Sequence, residues 1–186
     1  MQTKRLFVAL DMPELFIPSL QEVQKQLLAS GSIEGRAVPA DQVHLTLQFL
    51  GSIALERVPM IIDTLKNVHG KSFAVQLDGL FALPSEQNPH VIAIDLVAPE
   101  LVPLVEAICS ALRAVITLDK REFLPHVTLV RIKRVIDQKK MVDILRASRV
   151  TNVTARVNEF VLRESVLSHE GAVHSDIMKY QLSLQQ

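Results

Sequence analysis

Pro125-His126-Val127-Thr128-Leu129-Val130-Arg131 decides how the rest of this chain is read. The chain says nearly the same thing earlier, at Val43-His44-Leu45-Thr46-Leu47-Gln48-Phe49-Leu50-Gly51. Both copies read His, aliphatic, Thr, Leu. Their histidines, at positions 44 and 126, stand 82 residues apart, far enough for each to sit in its own half of a domain. Both stretches alternate and are rich in Val, Leu and Thr, so they read as β-strands. Side chains in a strand point to opposite faces in turn, so His44 and Thr46 share one face and Leu45 and Leu47 the other. His126 and Thr128 repeat this, with Val127 and Leu129 behind them. Each strand anchors an apolar face in a core and offers an imidazole and a hydroxyl roughly 6–7 Å apart on the opposite face. If the two strands lie side by side, both pairs converge on one cleft.

Working outward, Lys4 to Asp11 reads as a first strand, stopped by Pro13. Leu20, Val23, Leu27 and Leu28 recur at helical spacing within 14–29, and Ser30-Gly31-Ser32 ends that helix. Arg36-Ala37-Val38-Pro39 reads as loop, leading into a motif strand over 42–50 that Gly51 closes. A second helix is expected over 55–68, with Pro59 in its first turn. Residues 72–83 and 90–97 read as a hairpin around the turn at Pro84 to Pro89. A third helix covers about 100–115, carrying Leu101, Leu104, Val105, Ile108 and Leu112 on one face. The second motif strand is expected over 125–132, a fourth helix over 137–148, alternation over 152–164 and a last strand over 176–184. Each motif strand is followed by a helix. This order points to an α+β fold of two similar lobes with a cleft between them. No glycine-rich loop follows a strand, so neither the dinucleotide fingerprint nor the P-loop is present.

With 186 residues, 48% hydrophobic and 22% charged, the chain has the make-up of a globular protein with a good core. Its formal net charge of zero argues against coating nucleic acid by bulk electrostatics, while leaving room for a local grip on a nucleic-acid end. The single cysteine, Cys109, rules out a disulfide framework within the chain and fits a reducing compartment. The apolar run before Asp11 is too short for a signal peptide, and no run reaches the ~20 residues of a membrane span. The expectation is a cytoplasmic protein.

Two histidines facing one cleft suit in-line attack on phosphorus. One imidazole takes a proton from water, and the other gives one to the departing oxygen. With an unperturbed pKa of ~6.5, imidazole does either job near neutral pH. Threonine hydroxyls can hydrogen-bond the non-bridging oxygens, where charge concentrates as the bond breaks. Such chemistry requires no metal and no cofactor. On paper the two histidines are exchangeable between the acid and base roles.

The paired motifs resemble the H-x-T-x motifs of the two-histidine (2H) phosphoesterases. The flanks resemble one branch, the RNA 2′,3′-cyclic phosphodiesterases, also called 2′-5′ RNA ligases. The residues that carry this are Arg5-Leu6-Phe7-Val8-Ala9-Leu10, His44 to Leu47 with Phe49-Leu50-Gly51, and Phe123 to Leu129 with Arg131. Leu162 with Ser165, Leu167 and Gly171 continues it late in the chain. The resemblance implies one bilobal domain over residues 1–186, with one motif per lobe (43–51 and 125–131). It implies pseudo-symmetric lobes of antiparallel sheet with outer helices. It also implies metal-independent hydrolysis of RNA 2′,3′-cyclic phosphate ends to 2′-phosphomonoesters, with 2′-5′ ligation as the reverse reaction. By position in that family, His44 is the proton donor and His126 the proton acceptor, with Thr46, Thr128 and Arg131 binding substrate. The partner is an RNA end or nucleotide, and a monomer is the expected state. The rivals are the same chemistry on linear 2′-5′ oligonucleotides or small cyclic nucleotides, and a non-catalytic module that binds RNA ends.

The chain departs from the branch in having no Trp. Ala37 and Ala93 stand where members often carry one, and His174 stands near the place of a late tyrosine. Arg131 lies five residues past His126, so ideal alternation puts it on the wrong face unless a bulge or the strand end turns it inward. Segment 120–140 carries seven basic residues against two acidic ones, a face that either meets solvent or steers RNA. His169 and His174, with Glu170 between them, lack a strong metal spacing and are expected to face solvent. His69 and His90 are given no role. Phe49, Phe123 and Cys109 are expected to pack.

Overall fold

The alternation around the two motifs becomes sheet in the computed structural model, which describes residues 2–118, 122–148, 153–168 and 171–184. In chain order the elements are β1 (Thr3–Asp11), α1 (Ile17–Ala29), β2 (Ile33–Ala37), β3 (His44–Ala54), α2 (Val58–Lys66), β4 (Phe73–Leu83) and β5 (Val91–Val97). Then come α3 (Leu101–Arg113), β6 (His126–Val135), α4 (Gln138–Ala147), β7 (Thr154–Val157), β8 (Glu159–Ser168) and β9 (Gly171–Gln181). The strands form one sheet in the order β7-β4-β5-β6-β3-β1-β8-β9, with β2 also beside β6.

The motif strands β3 and β6 meet at the centre of that order, antiparallel, at Leu45 and Val127. From this seam the sheet reads outward alike on both sides. His44 lies opposite Asp11 and Thr46 opposite Ala9 on β1. His126 lies opposite Asp95 and Thr128 opposite Ala93 on β5. The fold is thus α+β, with two pseudo-symmetric antiparallel lobes. In sequence, β4 to β7 are inserted between the inner strands of the first lobe and its outer pair, β8 and β9.

The helices make the lobes interdependent. Leu20, Val23 and Leu27 of α1 and Leu104, Ile108 and Leu112 of α3 form stripes at three- and four-residue spacing. Both stripes join one core with Leu45, Leu47, Val127 and Leu129. Although α1 follows β1, it packs on β2 and β6; α3 follows β5 yet packs on β3. Burying each of these Leu and Val side chains contributes roughly 1.5–3 kcal/mol. That apolar face fixes which face the His and Thr side chains present.

A bulge interrupts each motif strand at the same place. On β6 the register passes from Thr128 opposite Ala93 to Val130 opposite Ile92, leaving Leu129 without a partner. On β3 it passes from Thr46 opposite Ala9 to Gln48 opposite Val8, leaving Leu47 over. One extra residue reverses the alternation beyond it. Arg131 and Phe49 are therefore turned to the face of the histidines, while Val130 joins Leu129 in the core. The bulge carbonyl of Leu129 accepts from the Val38 N–H at 2.8 Å and from the buried Gln24 amide of α1 at 2.9 Å. These bonds account for a polar side chain inside an apolar helix face.

Four expectations are corrected. Arg36 and Ala37 are not loop: they end β2, which pairs with β6 and sets Arg36 opposite Arg131. Gly35 permits that pairing, since a Cβ there would stand 2.5 Å from the Arg131 carbonyl oxygen. Gly51 does not close β3. It sits within the strand at φ +75°, beside a second bulge at Leu50, a backbone conformation that favours glycine. The alternation over 152–164 belongs to two strands, β7 and β8, broken at Asn158, and the final strand starts earlier than 176.

Candidate active site

The two histidines are held in the same way. The Nδ1 of His44 lies 2.7 Å from the carbonyl oxygen of Gln42, and the Nδ1 of His126 lies 2.8 Å from that of Leu124. A carbonyl oxygen only accepts, so each Nδ1 carries the proton. Each Nε2 is left with its lone pair, free to exchange a proton in the cleft. Both bonds reach back two residues along the chain, which makes the ring orientation a local property of each motif.

His44, Thr46, His126, Thr128 and Arg131 all line one cavity of about 980 Å³, a size that takes a nucleotide. Arg5, Phe7, Arg36, Phe49 and His174 line it too. Arg5, Arg36 and Arg131 supply the positive charge an anionic ester needs, and they come from β1, β2 and β6. Elsewhere in the basic segment, Arg134 pairs with Glu34 at 2.7 Å. Lys120, Arg121, His169 and Glu170 lie outside the described residues. Among the described residues no three His, Cys, Asp or Glu side chains gather as a metal site. No helix among them is long and apolar enough to cross a membrane.

His174 corrects the expectation that it faces solvent. It is half-buried, with its ring edge-on to His44 (centroids 5.1 Å apart, planes at 88°) and to Phe7 (4.9 Å, 73°). Its backbone N–H donates to the Gln42 side-chain oxygen at 3.0 Å. Gln42 therefore orients His44 through its backbone and ties down β9 through its side chain. Phe49 is 46% exposed in the cleft wall rather than packed in the core. Arg163 was also missed. It is buried on β8, with Nη2 2.6 Å from Asp11 and Nε 2.6 Å from Asp176. The available signal was an arginine directly after the apolar run Phe160-Val161-Leu162, since a charge carried into a core demands partners.

These neighbours set the proton affinity of His44. Burial pushes its pKa down from 6.5 to about 4, and the charges of His174, Arg163 and Arg131 act in the same direction, against the bond to Gln42. Burial lowers His174 too, again with Arg163 and Arg131. A depressed folded-state pKa means that the unfolded chain takes up a proton which the folded chain refuses. Stability is then present above pH ~6.5 and lost as the pH falls toward about 4. For His44 alone the loss is about 3 kcal/mol. Thermal melts between pH 7 and pH 4 are expected to show this fall, and His44→Asn to flatten it. An equally steep profile in that variant would assign the effect elsewhere.

A family model described as LigT like Phosphoesterase matches residues 10–93, which include the first motif. The chain is 28% identical over 179 residues to an RNA 2′,3′-cyclic phosphodiesterase of Archaeoglobus fulgidus, a match covering 95% of this chain and 99% of that one. The crystal structure of TT0787 of Thermus thermophilus superposes with a TM-score of 0.81 at 26% identity, covering 98% of this chain and 100% of that one. Escherichia coli LigT, solved in complex with NADP+, superposes at 0.75 with 23% identity, over 98% and 99% of the two chains. The second motif lies beyond the matched segment, yet the fold sets it opposite the first across the pseudo-twofold seam. Taken together, the doubled motif, the shared fold and the match over residues 10–93 make this chain similar to the LigT-like phosphoesterases.

Proposed function

We propose that the protein hydrolyses RNA 2′,3′-cyclic phosphate ends to 2′-phosphomonoesters without a metal, as a monomer in the cytoplasm. One observation carries this reading: two imidazoles, each with Nδ1 bound to the carbonyl two residues before it, line the same cavity with Thr46, Thr128 and Arg131. That supplies two proton-exchanging nitrogens with a hydroxyl beside each. A cyclic phosphodiester needs both proton transfers, whereas binding alone needs neither.

In the proposed step water attacks phosphorus, and His126 Nε2 takes its proton. The P–O3′ bond breaks, and His44 gives its Nε2 proton to O3′. The products are a 2′-phosphate and a free 3′-hydroxyl. Thr46 and Thr128 donate to the non-bridging oxygens, and Arg131 balances their charge. Among its protein neighbours alone, His44 holds its proton weakly. An anionic ester beside it favours the charged ring, so the acid is loaded as substrate arrives. With a 5′-hydroxyl in place of water as the nucleophile, the same transfers open the cyclic ester to a 2′-5′ phosphodiester and a free 3′-hydroxyl.

The test is an RNA oligonucleotide ending in a 2′,3′-cyclic phosphate, incubated in EDTA with product end-groups resolved. The expected product is the 2′-phosphate, at a rate unchanged by the chelator. A 3′-phosphate would reverse the leaving side and exchange the two histidines. Turnover that EDTA abolishes, or no turnover, would overturn the reading.

A further inference from the structure

We propose that His174 is a third substrate-contacting histidine of the cleft: a neutral hydrogen-bond donor that holds a phosphate oxygen of the bound nucleotide on the His44 side. The proposal rests on the cleft being a nucleotide phosphoester site. It does not depend on which RNA end is cleaved.

The argument starts with the two ring nitrogens. Nδ1 of His174 is buried and, among the described residues, has no hydrogen-bond partner, while the residue lines the cavity. The ring therefore meets the cavity through its other edge, which carries Nε2. Arg163 acts on His174 electrostatically, and its own Nη1 is likewise buried without a partner. Its guanidinium is held by Asp11 and Asp176, each at 2.6 Å. A cation near the ring disfavours its charged, doubly protonated form. An N–H buried without an acceptor also costs free energy. The buried, unpartnered Nδ1 thus favours the single proton of a neutral ring on Nε2, and burial, with Arg163 and Arg131 nearby, favours the neutral ring. The cavity wall beside His44 thus gains an N–H that is not spent on another protein group.

The surroundings hold that donor still. Phe7 and His44 pack against the His174 ring, and Gln42 fixes its backbone. Pairing of Ser165 with His174 sets its row on β9. The cavity is lined by three arginines, Arg5, Arg36 and Arg131, against one carboxylate, Asp41, among the described residues. A donor in such a wall matches an anionic oxygen, and the ester whose leaving group His44 protonates supplies one. His174 takes no part in proton transfer. A ring that stays neutral and donates through Nε2 adds a contact to the phosphate without competing with His44 for the acid's role.

The experiment compares the unmodified protein with His174→Phe and His174→Gln. Phenylalanine keeps a ring against His44 and Phe7 and removes the donor; glutamine keeps a donor. Titration calorimetry with adenosine 2′-monophosphate reads binding, and cleavage of the cyclic-phosphate RNA reads kcat/KM. His174→Phe is expected to weaken nucleotide binding and to lower kcat/KM by about 10- to 100-fold, the effect of one hydrogen bond to a charged group. His174→Gln should recover most of both. A nitrogen-detected imidazole spectrum of the unmodified protein should show His174 neutral, with its proton on Nε2. Equal binding by the Phe variant and the unmodified protein would overturn the proposal, as would a proton on Nδ1. So would an unmodified protein that does not bind the nucleotide. If RNA is not cleaved but binding still falls in the Phe variant and returns in the Gln variant, the RNA-end reading fails and the His174 contact stands.

Discussion

His126→Ala is expected to lower kcat for cyclic-phosphate RNA by about 10²- to 10⁴-fold, the usual contribution of a positioned general base. It should leave adenosine 2′-monophosphate bound nearly as well as before. The asymmetry follows from what the ring does. In the ground state His126 is one of several polar groups around the phosphate, alongside Thr128, Arg131 and Thr46. In the proposed step it accepts the proton that water must lose only during attack, so its removal is expected to be felt in the transition state far more than in binding. His44→Ala should cost a similar factor through the leaving oxygen. The double variant should be little worse than either single one, because the two proton transfers serve one step and their effects do not add. Steady-state kinetics and calorimetry on the three variants check this. A His126→Ala protein that keeps kcat within about tenfold would remove the general base from the mechanism.

The second large effect is on stability. Arg163→Met is expected to destabilise the fold by about 3 kcal/mol, the low end for breaking a buried ion pair, which lowers Tm by roughly 6–12 °C in a chain of this size. Methionine keeps the apolar stem. It leaves Asp11 on β1 and Asp176 on β9 without the cation that joins them across β8. Both carboxylates are partly exposed, at 36% and 38%, and Lys179 stays within 4.0 and 3.8 Å of them, so hydration offsets part of the loss. Thermal and urea melts at pH 7 measure it. The same change removes a positive charge that lowers both His44 and His174, so both should titrate at higher pH in the variant. A Tm unchanged from the parent would mean that the three charges contribute nothing net.

The motifs were legible because their information is local. The period of two places His44 with Thr46 and His126 with Thr128 before any partner strand is known, and the apolar residues between them require a buried back face. The stripe on α3 was legible for the same reason. Arg131 shows where local reading stops. Five positions past His126 it belongs on the wrong face, and only the bulge at Leu129 turns it into the cleft. That bulge is stabilised from outside the strand, by Val38 and by Gln24 of α1. Arg36 and Ala37 read as loop because the stretch over Ile33–Ala37 does not alternate: only Ile33 is buried, and the rest is exposed or partly so. Its strand character comes from the edge that β6 offers.

By itself, the sequence determined that two short strands each present an imidazole and a hydroxyl on one face, an arrangement that suits in-line attack on phosphorus. Side-chain alternation and the reach of Nδ1 to the carbonyl two residues back are properties of a few consecutive residues. Tertiary structure alone decided that the two strands meet at Leu45 and Val127, that Arg36 joins Arg131, and that His174 packs against His44 from 130 residues further along the chain. It also buried His44 and made Arg163 a buried cation between two carboxylates, and the burial above all made His44 reluctant to hold a proton. These contacts depend on strand order and register, which arise from the packing of whole lobes through a shared core. No local pattern encodes them.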